Sequence, residues 1–332
     1  MSFFNRYNCA IAFASVATIG YAIVWLDRYM RDDEDEEIEE NVPRSEPMSI
    51  RSYAWKYQQK IKNGITLRGH SRSAERTCFF WNELSIYFDA GIQGNKPGKF
   101  VLLTHGHGDH SASLPLMDVE FDGQPINVLV PTEVEEQANT FTNAFYRLND
   151  ATSDLKNSRK IKITPVSPGQ KFRFEIKKRQ YEIEVFKCHH SVPTVGYGIS
   201  EIKLKLREQY KKLPGREIGR LRKEGVIINE EVISPIMIYL GDTKASVLKN
   251  EKIFNYPVIM IECTFFGEGE ANDAIAKSHV HWDHLMPYVK SHPDIKFVLY
   301  HFSTKYKERV IDEFFKDVQK NENIKNILAW LG

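Results

Sequence analysis

The sequence predicts an α/β fold with a large, mixed β-sheet content over residues 50–332, preceded by an N-terminal transmembrane helix. Three observations carry this. From residue 50 onward, short apolar runs rich in β-formers alternate with turns and with stretches of helical period. Several of those runs end in residues that carry chemistry, the places where loops on a rigid scaffold bear function. Finally, residues 9–26 hold no charge over 18 positions.

That uncharged run sits near the short limit for crossing a hydrocarbon core of about 30 Å as a helix. A cleaved signal peptide and a buried core helix are the rival readings. A signal peptide's apolar core is shorter, about 7–15 residues, whereas this run continues through Trp25 and Leu26 into Asp27 and Arg28. Residues 1–27 are therefore read as a membrane anchor. Arg6 and the α-amine flank one side, Arg28 and Arg31 the other, so charge leaves the orientation open. Residues 28–49 contain DDEDEEIEE and then two prolines, a self-repelling acidic linker that buries no core.

The folded part is taken in order. ERTCFFW and LSIYFDAG predict a hairpin joined through Asn82 and Glu83. KFVLLTHG and PINVLVP are short strands, the first ending in a glycine-containing loop. TEVEEQANTFTNAFYRL has helical period, with Thr132 as its N-cap. RFEIKKRQYEIEVFKCHH alternates with period two and predicts a hairpin. SPIMIYLGDT, PVIMIECTFF and IKFVLYHFS read as buried strands, leading into Asp242, Glu262 and His301. No repeat of solenoid period is present. The cysteines, Cys9, Cys78, Cys188 and Cys263, are scattered singly, which excludes a secreted disulfide scaffold and predicts reduced thiols.

The formal net charge of +1 hides a split. Residues 1–49 carry ten acids and four bases, and the other 283 residues carry 41 bases against 34 acids. Segment 203–223, KLKLREQYKKLPGREIGRLRK, holds nine bases and two acids, which accounts for the whole excess. It is either a solvated helical face or the footprint of a phosphate-backbone binder.

The densest chemistry is THGHGDH. His105, His107, Asp109 and His110 crowd into six positions after an apolar strand, with Gly106 and Gly108 expected to turn the backbone so that the side chains converge. Such a set does not fit one tetrahedral ion and suits two ions a few Å apart. Imidazole with carboxylate favours zinc, with manganese or iron also compatible. His279-Val-His281-Trp-Asp283-His284 repeats the HxHxDH pattern, but no apolar strand and no glycine turn precede it, and too few histidines remain to complete a second site.

These residues resemble the signature of the metallo-β-lactamase superfamily, which implies an αββα sandwich with a dinuclear site. CHHSVPTVGYGI, YLGDT and LYHFSTKY resemble the later ligand motifs. The resemblance implies that one ion takes His105, His107 and His190, the other Asp109, His110 and His301, and that Asp242 spans both; His189 is the alternative to His190. GHSRSAERTCFF with IYFDAG, PGREIGRLRKEGVIINEEVISPIMIYLGDT, ECTF and SHVH resemble tRNase Z, short form, over about residues 65–306. That resemblance implies an endoribonuclease removing 3′ trailers from precursor tRNA. Asp109 would take a proton from the attacking water, His279 would protonate the leaving oxygen, and Glu262 would orient His279. His281 and His284 are read as structural. The basic segment 203–223 would contact RNA where tRNase Z enzymes insert a tRNA-gripping arm, although no long Gly/Pro-rich knob is present. Relatives commonly form homodimers. An RNA substrate implies a domain facing the cytosol or nucleoplasm. The competing readings are a β-lactam, lactone or thioester hydrolase on the same fold, and a non-catalytic membrane-tethered RNA-binding protein.

Overall fold

The computed structural model describes residues 55–118, 124–151 and 161–332. The expected anchor and acidic linker lie outside these residues. Among the described residues no helix is long and apolar enough to cross a membrane.

Two sheets organise the chain. The first runs in sequence order through β1 (Gln58–Lys60), β2 (Thr66–Ser73), β3 (Arg76–Trp81), β4 (Ile86–Phe88), β5 (Phe100–Leu102), β6 (Ile126–Pro131) and β7 (Ile161–Val166). The second is built from β8 (Lys171–Ile176), β9 (Arg179–Lys187), β10 (Val195–Leu206), β11 (Asn229–Tyr239), β12 (Val258–Glu262), β13 (Lys296–Tyr300) and β15 (Ile327–Ala329), again as a linear order. A short β14 (Phe302–Ser303) leaves the second sheet and pairs with β2, tying the two together.

The central strands are buried on both faces, and their side chains alternate between two cores as a period of two requires. Val258 and Met260 of β12 join Val298 and Tyr300 of β13 in the core between the sheets. Ile259 and Ile261, with Phe297 and Leu299, face the other way. There they meet Leu285 and Val289 of a helix over Trp282–Ser291, and Ile311 and Phe315 of another over Glu308–Asn321. On the outer face of the first sheet, Val101 and Val128 pack against Ala138 and Tyr146 of the helix Glu135–Asp150. In chain order the helices are α1 (Gly108–Ser111), α2 (Glu135–Asp150), α3 (Gly215–Lys223), α4 (Ala271–Ala276), α5 (Trp282–Ser291) and α6 (Glu308–Asn321). Helix, sheet, sheet, helix is the expected sandwich.

The expected hairpins are present: β3 pairs antiparallel with β4, and β8 with β9. Thr132 is not an N-cap. It opens a 3-10 turn before α2, whose N-cap is Val134, and its hydroxyl donates to Val166 O (3.1 Å) on the neighbouring strand. The tertiary partner outcompetes the local one. The glycines of the histidine motif also behave differently from expectation. Neither Gly106 nor Gly108 adopts positive φ, and an added Cβ meets nothing at Gly108 and only Val134 (3.8 Å) at Gly106. The demanding glycines lie elsewhere. A Cβ on Gly91 would fall 2.0 Å from the Asp109 carbonyl oxygen, and Gly241, at φ +62°, sits with Thr104 2.6 Å from where a Cβ would be.

Segment 203–223 is not one helical face. It comprises the distal half of β10, a 3-10 turn and α3, and it returns along β11, with Lys203 opposite Val232 and Leu206 opposite Asn229. The result is a ribbon projecting from the second sheet.

Candidate metal centre

The site is assembled from the ends of strands of both sheets. β5 delivers Thr104 and His105, and the chain then turns into α1, which carries Asp109 and His110. β9, β11 and β13 run into His190, Asp242 and His301. His301 takes φ +64°, in the left-handed region, immediately after β13.

Hydrogen bonds fix which nitrogen of each ring carries its proton. His105 Nδ1 lies 3.0 Å from Thr104 Oγ1, and that hydroxyl donates onward to the Asp89 carboxylate (2.9 Å). His110 Nδ1–H donates to Asp89 Oδ2 (2.8 Å). His190 Nδ1–H donates to Ser278 O (3.0 Å), and His301 Nδ1 lies 3.0 Å from Thr264 Oγ1, itself a donor to Glu262. In all four rings Nε2 is left with its lone pair aimed inward. His105 Nε2 and His190 Nε2 lie 3.2 and 3.3 Å from His107 Nδ1, and His110 Nε2 lies 3.2 Å from His301 Nε2. Asp242, 2% exposed, places its oxygens 3.3 Å from His110 Nε2, 3.4 Å from His301 Nε2, 3.8 Å from His105 Nε2 and 3.9 Å from His190 Nε2. Its Oδ1 is buried without a hydrogen-bond partner.

Ring nitrogens crowded within 3.2–3.3 Å of one another around a buried carboxylate oxygen make a place that favours positive charge, a proton or a cation. The donor atoms of His105, His107, His190 and Asp242 lie within 4.8 Å of one another, as do those of Asp109, His110 and His301. Asp242 belongs to the first set and also lies 3.3 and 3.4 Å from His110 Nε2 and His301 Nε2 of the second, and a third set is formed by Asp242, His279 and His301. The donors are nitrogen and oxygen, a chemistry suited to a divalent transition metal.

Electrostatics point the same way. Burial, reinforced by the His110 imidazole, pushes the His105 pKa down, and burial with His190 does so at His107, which keeps both rings in the neutral form that binds metal. Burial opposes charge on His110, yet Asp242 and Asp89 outweigh it and raise its pKa, so this place demands positive charge. Burial also opposes charge on Asp109, but the His301 hydrogen bond, with the His110 charge, holds its carboxyl below the usual range. Ala74 N–H donates to the same Oδ2 (3.0 Å).

A beta-lactamase superfamily domain matches residues 90–302, nearly two thirds of the chain and the whole span from the Asp89 strand end to His301. The chain belongs to the beta-lactamase superfamily. A chloroplastic tRNase Z of Arabidopsis thaliana is 26% identical over 273 residues, 80% of this chain and 73% of the relative. A second Arabidopsis thaliana tRNase Z is 25% identical over 259 residues, 75% and 89% of the two chains. A nuclear ribonuclease Z of Triticum aestivum is 30% identical over 175 residues, 51% of this chain and 91% of its own length.

In this beta-lactamase superfamily member the second HxHxDH run plays a different part from the first. His281 caps α5: its Nδ1 accepts from Asp283 N–H (3.1 Å) and its Nε2–H donates to Gly267 O (2.9 Å). His279 alone of that run turns toward the centre. Its ring centroid is 4.9 Å from His190 and 5.5 Å from His301, and its Nδ1–H donates to Glu262 Oε1 (2.8 Å). Glu262, fully buried, also accepts from Thr243 N–H (2.8 Å), Val280 N–H (3.2 Å) and the Thr264 hydroxyl. Burial works against a charged His279, but the Glu262 carboxylate overcomes it and lifts the pKa to about 9. His189 faces away, with Nδ1 2.9 Å from Ser246 Oγ.

Asp89, Thr104 and Thr264 escaped the reading of the sequence as site residues. A signal for Asp89 was present, since it follows the apolar strand Ile86–Phe88 as Asp242 follows β11. The threonines carry no signal of their own, because their role depends on a neighbour that only the fold supplies.

Proposed function

We propose that this metal-dependent phosphodiester hydrolase is a zinc endoribonuclease that removes 3′ trailers from precursor tRNA. One observation carries the reading: two donor groups meet at Asp242, a member of the first and 3.3–3.4 Å from His110 and His301 of the second, beside an imidazole, His279, that a buried carboxylate keeps protonated near neutral pH. The similarity to tRNase Z enzymes supports the substrate. So does the charge around the site. Lys244 and Lys249 line a cleft of about 450 Å³ with His279, His284 and one carboxylate, Asp283, and no acidic side chain among the described residues pairs with either lysine. On the ribbon, Lys205, Arg207, Lys212, Arg216, Arg222 and Lys223 likewise have no acidic partner among the described residues, whereas Arg220 is held by Glu217 and Glu224.

Bound at the two donor groups, divalent ions supply Lewis acidity to water and to the phosphodiester oxygens. The protein's own groups complete the reaction. The water oxygen attacks phosphorus and loses a proton to the Asp109 carboxylate. The P–O3′ bond breaks with its electron pair leaving on O3′, and His279 Nε2–H gives that oxygen a proton. Glu262 holds the ring for this transfer. The products are a 3′-hydroxyl RNA and a 5′-phosphorylated trailer. The uncharged run 9–26 would tether the enzyme to a membrane, with this domain on the cytosolic or nucleoplasmic side; deleting it should release the protein from carbonate-washed membranes.

The purified chain, supplied with Zn²⁺ or Mn²⁺, should cut a labelled precursor tRNA to a 3′-hydroxyl end and hold about two metal equivalents. Asp242→Ala should lose both metal and cleavage. Intact RNA with rapid nitrocefin turnover would reassign the enzyme to small esters and lactams, and metal well below one equivalent would favour a non-catalytic RNA-binding protein.

A further inference from the structure

A second cleft adjoins the metal centre and shares no lining residue with the cleft of His279. It encloses about 430 Å³, a size typical of small-molecule sites. His107 and Gly106 form one edge, and Val192 and Pro193, just after His190, form another. The far wall is one face of α2 and the turn before it: Val134, Ala138 and Phe141 follow helical spacing, with Glu133 and Gln137 at the mouth.

Three features say what fits there. Among the described residues lining the cleft there is no lysine or arginine, and Glu133 would repel a phosphate, so the occupant is neutral. The walls are apolar, and Phe141 stands 42% exposed without pairing with any other ring among the described residues, whereas Tyr146 on the same helix is buried in the core. An unpaired aromatic facing a polyanion's active site is the usual platform for a nucleobase. Position then selects the nucleotide. His107, at the edge of this cleft, belongs to the donor group of His105, His190 and Asp242, whereas His279 belongs to that of Asp242 and His301 and lines a different cleft, so the cleft and the proton donor serve different parts of the centre.

We propose that this cleft is a nucleobase subsite, in which Phe141 stacks the unpaired base of the nucleotide that keeps the scissile phosphate, the first residue of the trailer. This rests on the endoribonuclease reading, since the departing strand is assigned to the His279 side. Glu133 and Gln137, free of side-chain partners among the described residues, face the edge of such a base.

The test separates the two readings. The full chain, stripped of metal so that nothing is cut, is titrated with an RNA carrying 2-aminopurine at the first trailer position. Stacking should quench its fluorescence in the wild type and in Phe141→Tyr. Phe141→Ala should bind roughly ten-fold more weakly, without quenching. On the same RNA made abasic at that position, the wild type and Phe141→Ala should bind alike. A Phe141→Ala loss that persists on the abasic RNA, or no loss on either RNA, overturns the subsite. A change in sedimentation on Phe141→Ala also overturns it, because Phe141 would then be covered by a second copy of the chain. Base-dependent quenching in an enzyme that, reloaded with metal, leaves RNA uncut would retain the subsite and remove the nuclease reading.

Discussion

Asp89 accepts from four donors: Thr104 N–H (2.7 Å), the Thr104 hydroxyl, His110 Nδ1–H (2.8 Å) and the Tyr239 hydroxyl (2.5 Å). Through them it fixes the proton positions of His105 and His110 without touching the centre itself. Asp89→Asn keeps the shape but places an amide where donors already converge. Metal affinity, followed by competition with a chelator, should fall about 10–100-fold. His279→Ala should leave metal content unchanged and lower kcat by roughly 10²–10⁴, the scale of a lost general acid. Glu262 governs the pH response. His279 gains its proton more readily when folded, so the stability of its ion pair with Glu262 is fully present below the unfolded pKa of about 6.5 and is lost as pH rises through about 9. In metal-free Glu262→Gln, NMR titration should show the His279 midpoint moving down toward the ordinary value, and that window of pH-dependent stability should close.

At the scale of elements, the centre depends on close approach of backbones more than on flexible loops. Gly91 lets the strand end after β4 pass against α1, with the Asp109 carbonyl oxygen 2.0 Å from where a Cβ would sit. Gly91→Ala should cost about 1–3 kcal/mol through overpacking, read as a fall in Tm. Gly108→Ala should be close to neutral, because nothing lies within 4 Å of its Cβ position. The two glycines spelled into the histidine motif are thus the less constrained ones. The ribbon of β10, β11 and α3 makes a different prediction. Replacing Lys212, Arg216, Arg222 and Lys223 with alanine should raise KM for precursor tRNA and flatten the dependence of log K on log salt, by about one unit for each phosphate contact removed. Arg220→Ala alone should change little, since Glu217 and Glu224 already hold that charge.

Across the molecule, the cores are independent of the centre. The inter-sheet cluster and the two helix-covered clusters are apolar and continuous without any metal donor. Chelation should therefore leave the far-ultraviolet spectrum intact while lowering Tm, since ions that bind only the folded state stabilise it by about 2.7 kcal/mol at a hundred times Kd. This separation explains what was legible beforehand. Strands such as VIMIE and KFVLY announce burial on both faces by unbroken apolar runs, and their polar ends announced Asp242, Glu262 and His301. His190 could be named only through its resemblance to a family motif, because its neighbour His189 has the same local setting and only Ser278 O and Ser246 Oγ separate the two rings. Thr132 misled because a strand carbonyl distant in sequence outbid the local cap. The cleft beside Phe141 was illegible, since a lone aromatic at helical spacing reads as core until the opposite wall is known.

The ribbon has a consequence for substrate size. Tyr197 and Tyr239 face each other across β10 and β11 at the inner end, where the Tyr239 hydroxyl reaches Asp89, while Leu206 and Asn229 meet at the outer end. Ten paired positions separate the catalytic end from the basic tip, about 30 Å at the rise of an extended strand. Under the proposed function, strand length sets the distance between the basic tip that would grip RNA and the end that would cut it. Adding two residues to each strand would keep every side chain on its own face and lengthen that distance by about 7 Å.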